Sequence, residues 1–458
     1  METLQNKKSE TISNSIPLYR SEQFLTLWNK IQATSNSGNK AIVTAVSEII
    51  ENVRTNGDSS LYRYTEQFDG VRLSTLRVTQ ADIERAYSDL NSENPALIAA
   101  LKKAAHSIRR FAELQAAELQ NFQVMIAPGV SAGQKIVPVT AAGIYVPGGR
   151  YPLISSVLMG AIPARVAGVK KIILATPPTA SGTPASGILA AAKIAQVDEV
   201  YTIGGAQAIA ALAFGTETVP RVDVIAGPGN AYVAEAKRQV YGYVGIDLIA
   251  GPTDILILAD EKHCTGIGAR LIALDMLAQA EHDPNAQARV LVPSEAAGNA
   301  INKALQEELA QCKNKNIVTS SLSANAAIIV YSTVSEAISL ANTIAPEHLE
   351  LFCSNAAYIS QNLINYGSLF IGQLTPEVLG DYAAGVNHTL PTMGNARFSS
   401  GLSVRTFLKS STFLSCREGT GLAELLETSM IIAEAEGIFA HKHSAQARVM
   451  LSKNGEPR

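Results

Sequence analysis

The chain has 458 residues, of which 47% are hydrophobic and 17% are charged, and its formal net charge is -3. This near-neutral balance argues against a nucleic-acid or membrane-surface partner, and no apolar run reaches the roughly 20 residues that a membrane-spanning helix needs. Four cysteines without C-x-x-C spacing are too few for a disulfide framework, so we expect a reducing, cytoplasmic setting.

The first residues are expected to form a polar extension. Met1 to Pro17 has neither an apolar core nor a small-residue cleavage site, so we do not predict a secretory signal. Helical spacing then appears at Ile42, Val46, Ile49 and Val53. Further helical sequence extends from Ala81 to Leu119.

The middle of the chain alternates between short aliphatic runs and alanine-rich segments. The aliphatic runs, which predict strands, begin at Gly143, Lys171, Glu199, Val222 and Ile255. The segments between them predict helices over Ser155 to Val169, Ala185 to Gln196, Ala206 to Phe214 and Ala231 to Tyr241. Strands that alternate with helices in this way indicate a parallel sheet, and strands buried on both faces would explain the nearly continuous apolar runs.

A second alternation follows. Arg289 to Val292 and Ala327 to Tyr331 predict strands, and Ser335 to Thr343 predicts a helix. After Gly385 the sequence is loop-rich, and it ends in one long helix predicted from about Gly421 to Met450. We predict an α/β fold with two Rossmann-like parallel-sheet domains and small N-terminal and C-terminal helical extensions.

Glycine turns follow three of the predicted strands, at Pro147-Gly-Gly, Gly204-Gly-Ala-Gln and Gly227-Pro-Gly-Asn. Glycine at the carboxyl end of a parallel strand lets backbone N–H groups approach a phosphate. A single such turn is equally well explained as an ordinary tight turn, but three in one series of βα units favour a nucleotide site. The strict G-x-G-x-x-G fingerprint is absent, so a standard Rossmann pyrophosphate clamp is not predicted.

Four other segments carry side chains suited to metal binding or proton transfer. Gln279 and His282 are predicted one turn apart on a helix that Pro284 ends, and a helix-capping or surface histidine is the other interpretation of His282. Glu347 and His348 are adjacent, which suits either an acid–base pair or a solvated helix start. Asp381 lies in a glycine-flanked loop, and Glu436 with His441 lie near the C-terminus, where a solvated helix face is the other interpretation.

Taken together, these segments resemble the histidinol dehydrogenase family from about Ala41 to Arg448. The strings that carry the resemblance include Tyr145-Val-Pro-Gly-Gly, Pro163-Ala-Arg-Val-Ala-Gly, Gly227-Pro-Gly-Asn, Gln279-Ala-Glu-His-Asp, Ala345-Pro-Glu-His-Leu-Glu, Gly380-Asp-Tyr, Asn387-His-Thr-Leu-Pro-Thr and Ala396-Arg-Phe-Ser-Ser. Together they are highly specific.

The resemblance implies a role for each matched residue. The acid–base pair would be Glu347 and His348. The NAD contacts would be Tyr145, Gln207 and Asn230. One zinc ion per subunit would be held by Gln279, His282, Asp381 and His441. The substrate contacts would be Thr253, Gln279, His282, His348, Asp381, Glu436 and His441.

The implied reaction is the last step of histidine biosynthesis, the oxidation of L-histidinol to L-histidine through histidinaldehyde with two molecules of NAD. The family forms homodimers whose C-terminal tail completes the partner's site, which would explain a metal ligand in the tail. Thr253 replaces the usual serine, and a few extra residues near Lys262 precede Gln279. These departures leave two alternatives: the same zinc and NAD chemistry on another small polar alcohol, such as a dihydroxypropane sulfonate, or a non-catalytic metal- or nucleotide-binding relative.

The expected domain organisation has four parts. Residues 1–30 form an N-terminal extension and helical arm. Residues 31–142 and 252–395 form a first α/β domain that carries the metal and acid–base residues, and residues 143–251 form the NAD-binding domain. Residues 396–458 form a tail whose long helix contributes to the partner subunit's site.

Overall fold

The structure is a computed structural model that describes residues 15–35, 40–148 and 151–454. The described residues divide into two compact units. The larger lies within Met1–Glu113 and Thr140–Phe407, and the smaller lies within Leu114–Val139 and Leu408–Arg458. Strands and helices are numbered below in chain order, separately for each type.

The first sheet of the larger unit has six parallel strands in the spatial order β1-β12-β11-β10-β13-β14. These strands are β1 Leu18–Arg20, β10 Asp254–Ala259, β11 Gln287–Val292, β12 Ala327–Val330, β13 His348–Phe352 and β14 Ser368–Ile371. The helices of this part of the chain are α1 Ser21–Ser35, α10 Gly266–Ala280, α11 Glu295–Leu309, α12 Lys315–Asn325, α13 Val334–Ile344, α14 Ala356–Asn362 and α15 Glu377–Tyr382.

The side chains of β10 show why this sheet is buried on both faces. Ile255 and Ile257 belong to one hydrophobic cluster with residues of α10 and α11, whereas Leu256 and Leu258 belong to another with residues of α1 and α13. Successive side chains of a strand point to opposite faces, so an uninterrupted apolar run serves two cores at once.

The second sheet of the larger unit has the order β2-β7-β6-β5-β8-β9 and is parallel except for the β2–β7 pair. Its strands are β2 Arg77–Val78, β5 Ala141–Tyr145, β6 Lys171–Thr176, β7 Glu199–Thr202, β8 Val224–Ala226 and β9 Gly245–Ile246. The helices of this part are α2 Lys40–Asn56, α3 Asp58–Asp69, α4 Gln80–Glu93, α5 Pro95–Ala117, α6 Ile154–Val166, α7 Ser186–Ile194, α8 Gly205–Phe214 and α9 Ala231–Val240.

The predicted α/β fold class with parallel sheets is therefore confirmed. The helical sequence predicted from Ala81 to Leu119 forms two helices, because Pro95 begins a new one. A proline has no N–H to donate and disfavours helical geometry in the residue before it, which here is Asn94.

The smaller unit contains an antiparallel sheet that the sequence did not predict. Its strands, in the order β15-β4-β3, are β3 Phe122–Ala127, β4 Val130–Pro138 and β15 Leu408–Cys416. This unit combines residues from two of the predicted segments, 31–142 and 396–458, because β4 in the first pairs with β15 in the second. The four predicted segments remain a proposal about domain organisation.

The single long helix predicted for the C-terminus is wrong. The structure has two helices there, α16 Thr420–Ala435 and α17 Phe439–Asn454. Gly437 interrupts them with a φ of 73°, in the left-handed region that glycine adopts most easily.

No helix within residues 15–35, 40–148 or 151–454 is both long enough and apolar enough to cross a bilayer. Met1 to Pro17, for which no secretory signal was predicted, lies mostly outside the described residues.

Candidate catalytic and cofactor sites

Glu347 and His348 lie at the start of a central strand of the first sheet, where both side chains are buried. Ala345 ends α13 in a left-handed conformation with a φ of 49°, and the chain then passes through Pro346 into β13. The alternative interpretation of this segment, a solvated helix start, is therefore wrong. Alanine seldom adopts a positive φ, and such residues occur most often where function demands a particular geometry.

Thr253 and Asp254 hold the carboxylate of Glu347. The Thr253 hydroxyl donates to Glu347 Oε2 at 2.5 Å, and the Asp254 backbone N–H donates to the same oxygen at 3.0 Å. These residues meet because β10 and β13 are paired, with Ile255 opposite His348. Burial raises the pKa of Glu347 well above its usual range, and the hydrogen bond from Thr253 opposes that shift.

His348 is a buried imidazole neither of whose ring nitrogens has a hydrogen-bond partner among the described residues. Its Nδ1 is 3.5 Å from Glu377 Oε1, and its Nε2 is 3.8 Å from Asp381 Oδ1. Burial lowers the pKa of His348 to about 4. The ring is therefore neutral near pH 7 and able to accept a proton.

His282, Glu377 and Asp381 form a cluster in which one ligand atom from each lies within 4.8 Å of the others. His282 Nε2 is 3.8 Å from Asp381 Oδ2. The structure thus brings together two predicted metal ligands and adds Glu377, which was not predicted as one. Asp381 lies on α15, so the expectation that it lies in a loop is wrong. Glu377 lies one turn before it on the same helix, a spacing that puts two carboxylates on one helix face and was visible in the sequence.

Gln279 joins this cluster from the last turn of α10. In one orientation its amide oxygen accepts from the Asp254 N–H at 3.3 Å and its amide nitrogen donates to both carboxylate oxygens of Glu377, at 2.8 and 2.9 Å. In the other orientation the amide oxygen faces Glu377, and a cation between these oxygens would stabilise that arrangement.

The prediction that Gln279 and His282 share one helix is wrong. The helix α10 ends at Ala280, and His282 lies in the turn that follows, ahead of Pro284. The residue before a proline is disfavoured in the helical region, so the helix ends early. The two side chains nevertheless reach the same cluster.

The chemistry of this cluster fits a divalent cation. The side chains offer imidazole nitrogen, amide oxygen and carboxylate oxygen and no thiolate, a set that suits zinc among the divalent metals. Burial raises the pKa of Glu377 and that of Glu350 well above their usual range. A bound cation would offset the cost of keeping such carboxylates ionised.

Glu436 and His441 belong to the smaller unit. Glu436 caps α16, His441 lies in the first turn of α17, and both side chains are exposed. The predicted roles of Glu436 in substrate binding and of His441 in metal binding remain predictions.

The three predicted NAD contacts, Tyr145, Gln207 and Asn230, line one cavity of about 1280 Å³. The cavity lies at the carboxyl ends of the strands of the second sheet, where parallel α/β sheets usually bind ligands. Tyr145 ends β5, Gln207 lies in the first turn of α8, and Asn230 caps α9 by accepting from the N–H groups of Tyr232 and Val233.

One buried polar group indicates a polar ligand in this cavity. Gln207 is almost fully buried, and its Oε1 has no hydrogen-bond partner among the described residues. Tyr145 accepts a hydrogen bond from the N–H of Gly205, and burial raises the pKa of its hydroxyl to about 12. The N-terminus of α8 lies beside both groups and favours an anionic ligand such as a pyrophosphate.

Gly227, which follows β8, permits a close approach to the backbone of Tyr145. It has a φ of 126°, and a β-carbon there would collide with the carbonyl oxygen of Tyr145. The turn is held on both sides, because the Gly227 N–H donates to Asp247 and its carbonyl accepts from the buried Lys237 ammonium. Only glycine meets these steric conditions.

The cysteines do not form a catalytic site. All four are free, and burial raises the pKa of both Cys264 and Cys353 to about 12. A thiol of that pKa carries almost no thiolate at neutral pH. Cys264 is fully buried next to a short 3-10 helix, Glu261–His263.

Comparison with known proteins identifies the family of this chain. Residues 32–449 match the family described as histidinol dehydrogenase. The histidinol dehydrogenase of Methanococcus maripaludis is 44% identical over 89% of this chain and 93% of its own length. The histidinol dehydrogenase of Geobacillus kaustophilus is 43% identical over 92% of this chain and 96% of its own length. A crystal structure of histidinol dehydrogenase from Elizabethkingia anophelis matches with a TM-score of 0.84 and 36% identity, covering 90% of this chain and 93% of the other.

Proposed function

The chain belongs to the histidinol dehydrogenase family and is a dehydrogenase, and from that premise we propose that it oxidises L-histidinol to L-histidine through histidinaldehyde, with NAD and a bound zinc ion. The observation that carries the proposal is the neutral, buried His348, whose ring nitrogens have no partner and which lies beside Glu347 within a cluster of metal-binding side chains. Free cysteines support a reducing compartment, the cytoplasm, as its location.

His348 is proposed as the base of the first oxidation. An alcohol becomes an aldehyde by losing a hydroxyl proton and a hydride, and a neutral imidazole with a free nitrogen is suited to take that proton. The same ring, once protonated, can return a proton to water. Because His348 is almost inaccessible to solvent, the proton would come from the substrate that reaches it.

Glu347 is proposed as the base that prepares the second oxidation. It removes a proton from water as the water attacks the aldehyde, which gives the hydrate in its alkoxide form. This hydrate then loses the second hydride to NAD to give the carboxylic acid, which releases its proton to become the carboxylate. A raised pKa makes the ionised form of Glu347 a stronger base. Thr253 is expected to contact the substrate. Its hydrogen bond to Glu347 Oε2 would also hold the carboxylate in position.

The zinc ligands are proposed to be Gln279, His282 and Asp381 together with His441 of the partner subunit. When bound, the metal would hold the imidazole and the amine of histidinol and so orient the hydroxyl toward His348. Glu377 neighbours this set and would balance the charge of the ion. Glu436 is retained as a proposed substrate contact.

NAD is proposed to bind in the cavity lined by Tyr145, Gln207 and Asn230, where two NAD molecules would bind in turn and each would accept one hydride. The unpartnered Gln207 Oε1 supports this placement, because a buried acceptor without a donor favours a polar ligand that supplies one.

The decisive experiment is a turnover assay with L-histidinol and NAD. We expect two molecules of NADH and one of L-histidine for each histidinol consumed, because both oxidations occur before release. Treatment with a chelator is expected to abolish turnover, and added Zn²⁺ is expected to restore it.

A yield other than two NADH would contradict the proposal. The competing substrate class is tested in parallel with a dihydroxypropane sulfonate. A higher kcat/KM for that alcohol than for histidinol would replace the proposed substrate while retaining the zinc and NAD chemistry. Absence of turnover with either alcohol would favour the non-catalytic alternative.

A homodimer with sites completed across subunits is proposed from the surface of the smaller unit. Large apolar side chains are exposed on its strands and helices, among them Met125, Ile126, Leu414, Ile431, Ile432 and Phe439. Apolar surface of this kind usually marks an interface, and the commonest interface between identical chains has twofold symmetry.

Mixing two inactive variants tests this arrangement. His348→Asn and His441→Ala are each expected to be inactive alone, because one lacks the base and the other lacks a metal ligand. In mixed dimers one site would receive both intact histidines, so co-refolding of equal amounts should recover about a quarter of wild-type activity. A mixture as inactive as its parents would show that His441 serves its own subunit or no site.

A further inference from the structure

One end of the nucleotide cavity is formed by the first helices of the larger unit rather than by the second sheet. Side chains of α2 and α3 line it, including Glu48, Asn52, Phe68 and Asp69. Asp69 is the last residue of α3, and Gly70 ends the helix with a φ of 69°. This turn places a carboxylate in the cavity wall.

The Asp69 carboxylate has an oxygen that lacks a partner. Its Oδ2 is shielded from solvent and accepts no hydrogen bond from the described residues. Burial raises the pKa of Asp69, and its charge in turn contributes to the raised pKa of the Tyr145 hydroxyl, so the two groups are close. A buried acceptor without a donor is costly, and a ligand carrying hydroxyl groups would remove that cost.

An aromatic surface lies beside this carboxylate. The rings of Tyr64 and Phe68 are stacked with their centroids 5.4 Å apart and their planes at 5°. Both rings line the cavity. Tyr64 is buried, whereas 53% of Phe68 is exposed. A planar heteroaromatic ring can stack on an exposed phenyl face.

We propose that Asp69 accepts hydrogen bonds from the two vicinal hydroxyls of the adenosine ribose, with the adenine against Phe68, and that Asp69 thereby selects NAD over NADP. This inference rests on the proposed use of a nicotinamide dinucleotide. A carboxylate can accept from both hydroxyls of a ribose, as an acidic residue does in Rossmann folds. A 2′-phosphate would instead bring two negative charges against Asp69 and remove one of its donors.

Arg63 also lines this end of the cavity, and a guanidinium would attract a 2′-phosphate. Its guanidinium lies over the Tyr64 ring, 4.8 Å from the centroid, and the side chain is exposed to solvent. Solvent screens an exposed charge more strongly than a buried one, so the shielded carboxylate dominates the choice of cofactor.

Direct binding of NAD⁺ and NADP⁺, measured by isothermal titration calorimetry without substrate, tests the inference on the full chain. The wild type is expected to bind NAD⁺ more tightly. Asp69→Asn and Asp69→Ser are each expected to weaken NAD⁺ binding by about tenfold and to reduce the preference for NAD⁺ over NADP⁺ by at least that factor. Asp69→Ser also makes room for a phosphate.

Glu66→Gln is the matched control. Glu66 is an exposed acid on the same helix and is not among the residues that line the cavity, so its removal changes the net charge equally but should leave both affinities unchanged. Thermal unfolding of each variant establishes that the fold is retained.

An unchanged ratio of the two affinities in both Asp69 variants would overturn the inference, as would equal affinities in the wild type. Neither result would contradict the proposed oxidation of histidinol. Conversely, a wild type that prefers NAD⁺ in the binding assay but does not oxidise histidinol would refute the proposed substrate and leave the role of Asp69 standing. Failure to bind either dinucleotide would refute both.

Discussion

Replacement of His348 by asparagine is expected to lower kcat for histidinol by about 10² to 10⁴-fold, the usual contribution of a positioned general base. Asparagine retains a polar side chain of similar width but cannot accept a proton near pH 7. Because burial lowers its pKa to about 4, the wild-type ring is unprotonated near pH 7, and neither nitrogen is already hydrogen-bonded within the described residues.

Steady-state kinetics and zinc analysis separate this chemical effect from damage to the site. Zinc content, the affinity for NAD and the melting temperature are expected to stay close to those of the wild type, because His348 is not one of the proposed metal ligands. His106→Asn serves as the matched control, since His106 is an exposed histidine on α5. Near-normal kcat in His348→Asn, with zinc retained, would remove His348 from the proposed mechanism.

Replacement of Glu347 by glutamine is expected to stop the reaction after its first oxidation. Glutamine has the same shape, and its amide oxygen can still accept from the Thr253 hydroxyl and the Asp254 N–H. It cannot remove a proton from water. The yield should therefore fall from two NADH toward one per histidinol consumed, with kcat for supplied aldehyde reduced by about 10² to 10³-fold.

Rapid-quench analysis of a single turnover measures the aldehyde directly. Accumulation of enzyme-bound aldehyde is the expected signature, and the first burst of NADH should be less affected than the second. Glu307→Gln is a suitable control, because Glu307 is an exposed glutamate on α11. Equal slowing of both oxidations would show that Glu347 acts in positioning rather than as the base for water.

The parallel sheets were predictable because their strands are chemically distinctive. β5, β6, β8 and β10 are runs of aliphatic residues, and burial on both faces removes the polar alternation that would otherwise leave a strand ambiguous. The antiparallel sheet of the smaller unit had no such signature. Val124, Met125 and Ile126 on β3 are exposed, and the strand that pairs with β4 is distant in sequence.

The candidate site was predictable to a different degree at each residue. His348 was predicted from its neighbour Glu347 and from the resemblance to the family. Its position at the start of a buried strand was not predicted, because Pro346 suits a helix start equally well. Glu377 was overlooked because its role depends on contact with Gln279 and His282, which come from another part of the chain. Asp69 was overlooked because nothing in the string Phe68-Asp-Gly shows that it faces a cavity.

By itself, the sequence determined the fold class, the family and the identity of most side chains that the proposed chemistry needs. These properties depend on local composition and on strings of neighbouring residues. Only the tertiary structure decided that His348 is buried and neutral, that Glu377 lies with the metal-binding side chains, and that Asp69 carries an unpartnered oxygen. Burial and the distance between side chains arise from the packing of elements remote in sequence, and both set the pKa and the hydrogen-bonding state on which function depends.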